Sequence, residues 1–123
     1  MKLTKNFSKS EFESKDGSVM PEKVLANIKK VAYYLQIIRD HLNASIKINS
    51  AYRSPKHNAK IGGAKNSQHI LGNAADIVVA GYTPEEVFNV IETLVASGDL
   101  PEGGLHAYSN FTHFDIRGKK TRW

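Results

Sequence analysis

Apolar residues recur at helical spacing through the first third of the chain: Val24, Leu25, Ile28, Val31, Ala32, Leu35, Ile38 and Leu42 share one side of a 3.6-residue repeat. The spacing predicts a helix from Pro21 to about Asn43, with Pro21 in the first turn and Glu22 beside the positive end of the dipole. Tyr33 and Tyr34 fall at the core edge and on the surface of this helix, and His41 complements the dipole at its far end. The period then changes from 3.6 to 2. Ile46-Lys47-Ile48-Asn49 alternates apolar and polar and reads as a strand running into Ser50-Ala51-Tyr52-Arg53-Ser54-Pro55. Residues 56–68, with Gly62 and Gly63, read as an ordered loop with room for a short helical piece. A second strand is expected at Ala75–Ala80. Thr83-Pro84-Glu85-Glu86 then supplies a cap, a proline for the first helical position and a glutamate three residues after the threonine. The helix it opens runs to about Ser97, where Gly98 stops it, and Val87, Val90, Ile91, Leu94 and Val95 form its apolar face. A third strand, Phe111–Arg117, alternates strictly. The opening segment, with Phe7, Phe12 and Gly17, reads as a cap over the core. The expected architecture is α+β, a small antiparallel sheet flanked by two main helices, in one domain spanning residues 1–123.

Composition narrows the class. With 123 residues, 41% hydrophobic and 24% charged, the chain is long enough for one core and too balanced for a disordered or collagenous protein. No stretch approaches the roughly 20 apolar residues of a transmembrane helix, so membrane insertion is not expected. The first twenty residues contain no apolar run of signal-peptide type, and synthesis in the cytoplasm without a signal peptide is the expectation. Seventeen basic against twelve acidic residues give a net charge of +5, which favours an anionic partner such as nucleic acid or bacterial cell wall. No helix-turn-helix or zinc-finger spacing accompanies that charge, and no nucleic-acid partner is expected. The chain has no cysteine. Disulfide scaffolds, zinc ribbons, iron–sulfur sites and cysteine nucleophiles are excluded together, and any metal must be held by imidazole and carboxylate. Five histidines, at 41, 57, 69, 106 and 113, are available.

The stretch Ser67-Gln68-His69-Ile70-Leu71-Gly72-Asn73-Ala74-Ala75-Asp76 concentrates the chemistry. Asp76 leads a hydrophobic strand, where an unpaired carboxylate is expensive to bury. A metal shared with His69 removes that cost, and Gly72 with the small Ala74 and Ala75 lets the backbone turn back tightly enough. A capping aspartate and a surface histidine are the plain alternative. On the third strand, alternation places His113 and Asp115 on one side with Phe111, and Phe114 and Ile116 on the other. That pattern gives one apolar face and one bearing an imidazole and a carboxylate, or simply a solvent-facing polar edge. Two histidines and an aspartate with one open position is the donor set of a catalytic rather than a structural zinc.

The pattern SxHxxGxAxD, filled by Ser67, His69, Gly72, Ala74 and Asp76 and followed by a strand histidine, resembles the zinc D-Ala-D-Ala carboxypeptidases and phage L-alanyl-D-glutamate endopeptidases. The resemblance covers nearly the whole chain. Phe7-Ser8-Lys9-Ser10-Glu11-Phe12, Ser50-Ala51-Tyr52-Arg53-Ser54, Gly103-Gly104-Leu105, His113-Phe114-Asp115-Ile116-Arg117-Gly118 and Arg122-Trp123 fall in the family's order. It implies a hedgehog/D-Ala-D-Ala-peptidase-like fold, zinc held by His69, Asp76 and His113, and a peptidase acting on peptidoglycan stem peptides as a monomer. It further implies that Arg53 faces the substrate, with a structural ion pair as its alternative, and that Ser67 lines the site or caps a turn. Tyr52 and Trp123 are expected to pack. One position departs from the family: many relatives carry an acidic base three residues before the last histidine, where this chain has Asn110. Asparagine cannot accept a proton from water. Asp115 and His106 are the candidates for the catalytic base, Asp115 with an alternative role in orienting His113. If neither serves, the chain is a weak or inactive peptidoglycan-binding module. The setting implied is a phage or prophage lysin that reaches the wall after release.

Overall fold

In the computed structural model, which describes residues 1–123, the elements follow one another as a short 3-10 helix (Lys9–Phe12), α1 (Glu22–Leu42), β1 (Ile46–Ser50), α2 (Pro55–Lys60), α3 (Gln68–Leu71), β2 (Ala74–Val79), α4 (Pro84–Ala96), β3 (Gly104–Ala107), β4 (Thr112–Asp115) and β5 (Thr121–Arg122). The five strands form one sheet in the order β1-β2-β4-β3-β5. All neighbours are antiparallel except β3 and β5, which run parallel. The two long helices and the three principal strands stand where the periodicity puts them. Helix α2 is the short helical piece that the loop at residues 56–68 had room for, and α3 with the short strands β3 and β5 are additions. Pro21 sits one position earlier than expected, at the N-cap with extended backbone, and the helix begins at Glu22.

Helix α1 buries Val24, Ile28, Val31, Ala32, Leu35, Ile38 and Leu42, the stripe read from the sequence, and ends on Asn43 in the left-handed region (φ 48°). Helix α4 is opened by a complete capping box. The Thr83 hydroxyl accepts from Glu86 N at 3.1 Å, and Thr83 N donates to the Glu86 carboxylate at 2.8 Å. Its Val87, Ile91 and Leu94 join the α1 stripe and the inner face of the sheet in one core. Strand pairing sets that face. Ala75 lies opposite Phe114, which lies opposite Leu105, and all three are buried; Ile48 lies opposite Ile77. A one-residue slip would exchange this apolar row for the polar one beside it.

The opening segment is more than a cover. Phe7 and Phe12 are fully buried, edge to face with ring centroids 6.1 Å apart. The carbonyl of Phe12 accepts from Tyr52 N at 3.0 Å, which fixes the chain one residue before Arg53. Ser54 is tied down from two sides: its hydroxyl donates to Asp16 at 2.7 Å and caps α2 by accepting from His57 N at 3.0 Å. Arg53 is therefore held at both flanking residues. Tyr33 and His41 are exposed, and Tyr34 packs against the core edge. Replacing Phe12 with alanine is expected to cost about 3–5 kcal/mol in chemical denaturation, the usual range for emptying a buried aromatic site.

Candidate metal centre

The polar face of the sheet carries one continuous row. Ser50 pairs with Asp76 and Asp76 with His113, while His113 pairs with His106, so four polar side chains cross β1, β2, β4 and β3 in line. The register shifts between Ile48 and Ser50, a bulge that bends β1 where Arg53 leaves it. His69 reaches the row from α3. Ser67 caps this helix by accepting from His69 N at 3.1 Å, and Gly72 ends it in the left-handed region (φ 76°). A Cβ on Gly72 would meet Val24 Cγ1 at 2.7 Å, so both conformation and space require glycine there.

His69, Asp76 and His113 are all buried and offer donor atoms within 4.8 Å of one another. Asp76 stands between the rings: His69 Nε2 is 3.2 Å from one carboxylate oxygen and His113 Nδ1 is 3.0 Å from the other. The far nitrogen of each ring fixes its protonation. His69 Nδ1 lies 2.7 Å from the Ala51 carbonyl, which only accepts, so Nδ1 carries the hydrogen and Nε2 presents its lone pair. His113 Nε2 lies 2.7 Å from Asp115 Oδ2 and must likewise donate. In their neutral forms, two imidazole lone pairs and a carboxylate therefore face one another, and only a cation or an added proton reconciles them. The spacing suits a metal. Ligands at about 2.0–2.1 Å in tetrahedral geometry stand roughly 3.3 Å apart. These residues fit an ion bound by two imidazoles and one carboxylate.

Asp115 and Arg53 complete the electrostatics. Asp115 is fully buried and accepts from His113 Nε2, from Gly104 N at 2.7 Å, and from Arg117 through its backbone N–H, Nε and Nη2. The adjacent glycines exist for this carboxylate: a Cβ on Gly104 would overlap its side chain, and one on Gly103 its backbone carbonyl. Arg53 places Nη2 3.3 Å from Asp76 and is braced by Ser50 Oγ at 3.1 Å and Asn58 Oδ1 at 3.3 Å. Burial disfavours ionisation of Asp76 and Asp115, but the hydrogen bonds from His113 and their other donors outweigh it and hold both carboxyls well below the usual range. Burial likewise opposes charge on His113, and its bonds to Asp115 and Asp76 reverse the balance, raising its pKa above the ordinary 6.5.

A cleft of about 420 Å³ opens over the three ligands. Arg53 and Ser67 line it, and so do Tyr108, Phe111, Arg117 and Trp123. Asp115 does not line it, because it sits behind His113. His106 is also outside: its ring stacks on Trp123 at 5.2 Å and 5°, on the side facing α4, where it lines a separate hollow with Phe88. The structure thus places both candidate bases away from the cleft, and it gives Asp115 the orienting position. Asn110 is exposed in the tight turn between β3 and β4, closed by Tyr108 N donating to Phe111 O at 2.9 Å, and it faces a small hollow beside Tyr82 rather than the ligands. Trp123 is half exposed on the cleft wall and packs through its stack on His106, and Tyr52 is buried. Arg117 and Tyr108 had no assigned role in the sequence. Alternation offered a signal for Arg117, two residues past Asp115, but none for Tyr108 in a turn.

An α+β sheet that presents two histidines and an aspartate at the floor of an open cleft defines a protein with a candidate site for one metal ion and open space above it. The chain belongs to the Peptidase M15 family, which it matches over residues 2–115. A probable peptidoglycan L,D-endopeptidase, MepK, of Haemophilus influenzae is 35% identical over 102 residues, covering 77% of this chain and 52% of the relative. The chain spans about half the length of that curated relative. No helix is long and apolar enough to cross a membrane.

Two outcomes follow for the ion and its supports. Asp115→Asn is expected to weaken zinc binding about 10–100-fold in a competitive chelator titration, because a charged, accept-only carboxylate gives way to a neutral amide that can also donate and no longer fixes the ring's tautomer. The raised His113 pKa contributes stability that is complete below its unfolded value of about 6.5 and is lost as pH rises through the folded one. Metal-free protein should therefore melt at lower temperature near pH 9 than near pH 6. Zinc should abolish that loss and bind more tightly as pH rises, since it replaces the proton at Nδ1.

Proposed function

We propose that the protein is a zinc-dependent peptidase that hydrolyses peptidoglycan stem-peptide bonds, acting as a monomer at the cell wall in the manner of a phage or prophage lysin. The observation that carries this reading is the pairing of imidazole lone pairs against Asp76 beneath an open cleft. Between carboxypeptidase and endopeptidase action we favour the second, on the similarity to a probable L,D-endopeptidase. The excess of positive charge suits an anionic wall.

His69, Asp76 and His113 would hold the zinc, which when bound polarises a carbonyl and makes water more acidic. The rest is supplied by the chain. Ala51 O and Asp115 hold the two rings in the tautomer and orientation that bring their lone pairs to one point. Arg53, fixed beside Asp76, presents a planar guanidinium to a peptide carbonyl or carboxylate. Ser67 keeps His69 on its short helix. Phe111 and Trp123 give the cleft apolar walls that displace water from the bound peptide.

A second reading, a metal-holding module that binds stem peptides without turnover, is favoured by one observation: beyond the ligands, no carboxylate or imidazole lines the cleft. One experiment separates the two. Zinc-loaded protein incubated with purified peptidoglycan should release new amino termini, chelation should stop the release, and His69→Ala or His113→Ala should reduce it to background. Tight stem-peptide binding by calorimetry with no new termini would decide for the module.

A further inference from the structure

The strand order gives the cleft two sides. Arg53, leaving β1, stands on one and Tyr108, leaving β3, on the other, with β2, β4 and their ligands between. Amide hydrolysis needs more than a polarised carbonyl, because an alkyl nitrogen leaves only once it gains a proton. Few cleft side chains can give one. A guanidinium does not give up a proton in a protein, which sets aside the two arginines of the cleft, and Asn66 and Gln68 are neutral amides. Ser67 accepts from His69 N, and its aliphatic hydroxyl is far less acidic than a phenol. Asp115 is sealed behind His113, and His106 lies beyond the indole of Trp123. Outside the ligands, Tyr108 is the ionisable group that remains on the wall.

Its hydroxyl is oriented. Trp123 Nε1 donates to Tyr108 Oη at 3.1 Å, and an indole nitrogen can only donate. The phenol oxygen is the acceptor in that bond, so its own hydrogen is left for another partner. The ring is fixed by Phe111, stacked at 4.5 Å, and by His106, edge to face at 4.4 Å. Trp123 in turn meets the ring of His113 at 5.2 Å. One indole thus links the hydroxyl to a metal ligand, and Tyr108 remains 36% exposed.

From this arrangement we infer that Tyr108 is a catalytic residue that protonates the departing amine, with Trp123 and His106 as positioning residues; the inference rests on the hydrolytic reading above. Water oxygen bonds to the carbonyl carbon, and the C–N bond breaks with its electron pair going to nitrogen. Nitrogen takes the phenol proton, and the phenolate recovers the proton that the water sheds. Amine and carboxylic acid are the products, and no other reactant is consumed.

Leaving-group dependence tests the assignment. Wild type and Tyr108→Phe, both zinc-loaded, would be compared on a stem-peptide amide and on the p-nitrophenyl ester of the same acyl group, whose leaving group needs no proton. On the amide, kcat should fall about 10²-fold with KM within about twofold, while ester kcat stays within about threefold of wild type. Zinc stoichiometry and calorimetric affinity for a non-cleavable reduced-amide peptide should not change. Trp123→Phe, which lacks the N–H, should show a smaller loss confined to the amide. Equal losses on amide and ester, a loss carried by KM or peptide affinity, or undiminished amide turnover would each overturn the inference while leaving hydrolysis in place. A wild type inactive on both substrates overturns the hydrolytic reading and this inference with it.

Discussion

One imidazole between two buried carboxylates governs this molecule. His113 touches Asp76 through Nδ1 and Asp115 through Nε2, and all three side chains are removed from water. Two carboxylates that close cannot remain charged in a protein interior without compensation. Each has its own. Asp115 is matched by Arg117 and two backbone N–H groups, so its charge is settled inside the fold. Asp76 has Arg53 at 3.3 Å and two ring nitrogens, an incomplete settlement that leaves a place for a cation. The division of labour between the two aspartates, one structural in its saturation and one open to an ion, follows from which side of His113 each occupies.

Much of this was legible in the sequence because it depends on periodicity. The α1 stripe, the capping box at Thr83 and the alternation of residues 111–117 are local patterns; the first two appear as read, and the third appears as a shorter strand, Thr112–Asp115. Alternation alone puts His113 and Asp115 on one side of β4. Absence of cysteine limited the possible ligands to histidine and carboxylate before any element was placed. The spacing from Ser67 to Asp76 marked the remaining half of the site, and Gly72 supplies the turn that spacing needs.

What stayed hidden depends on contacts between distant residues. β3 and β5 are too short to show a period, and they form because neighbouring strands complete their hydrogen bonds. The exclusion of His106 from the cleft comes from an indole seventeen residues away in sequence, and the sealing of Asp115 from Gly103 and Gly104, which leave it room. Asn110 illustrates the same limit. Its position three residues before His113 suggested a place in the chemistry, yet a tight turn directs it to the other side of Phe111.

The pairing of Asp76 with His113 joins residues from β2 and β4, separated by helix α4 and strand β3. The core that aligns them is built from α1, α4 and the inner face of the sheet, and none of His69, Asp76 and His113 is a member of it. An ion held there would therefore join a scaffold whose core owes nothing to it, unlike the metal of a small zinc finger that organises an otherwise shapeless chain. Loading of such a site could follow folding rather than drive it, because the packed core does not need the ion to take shape.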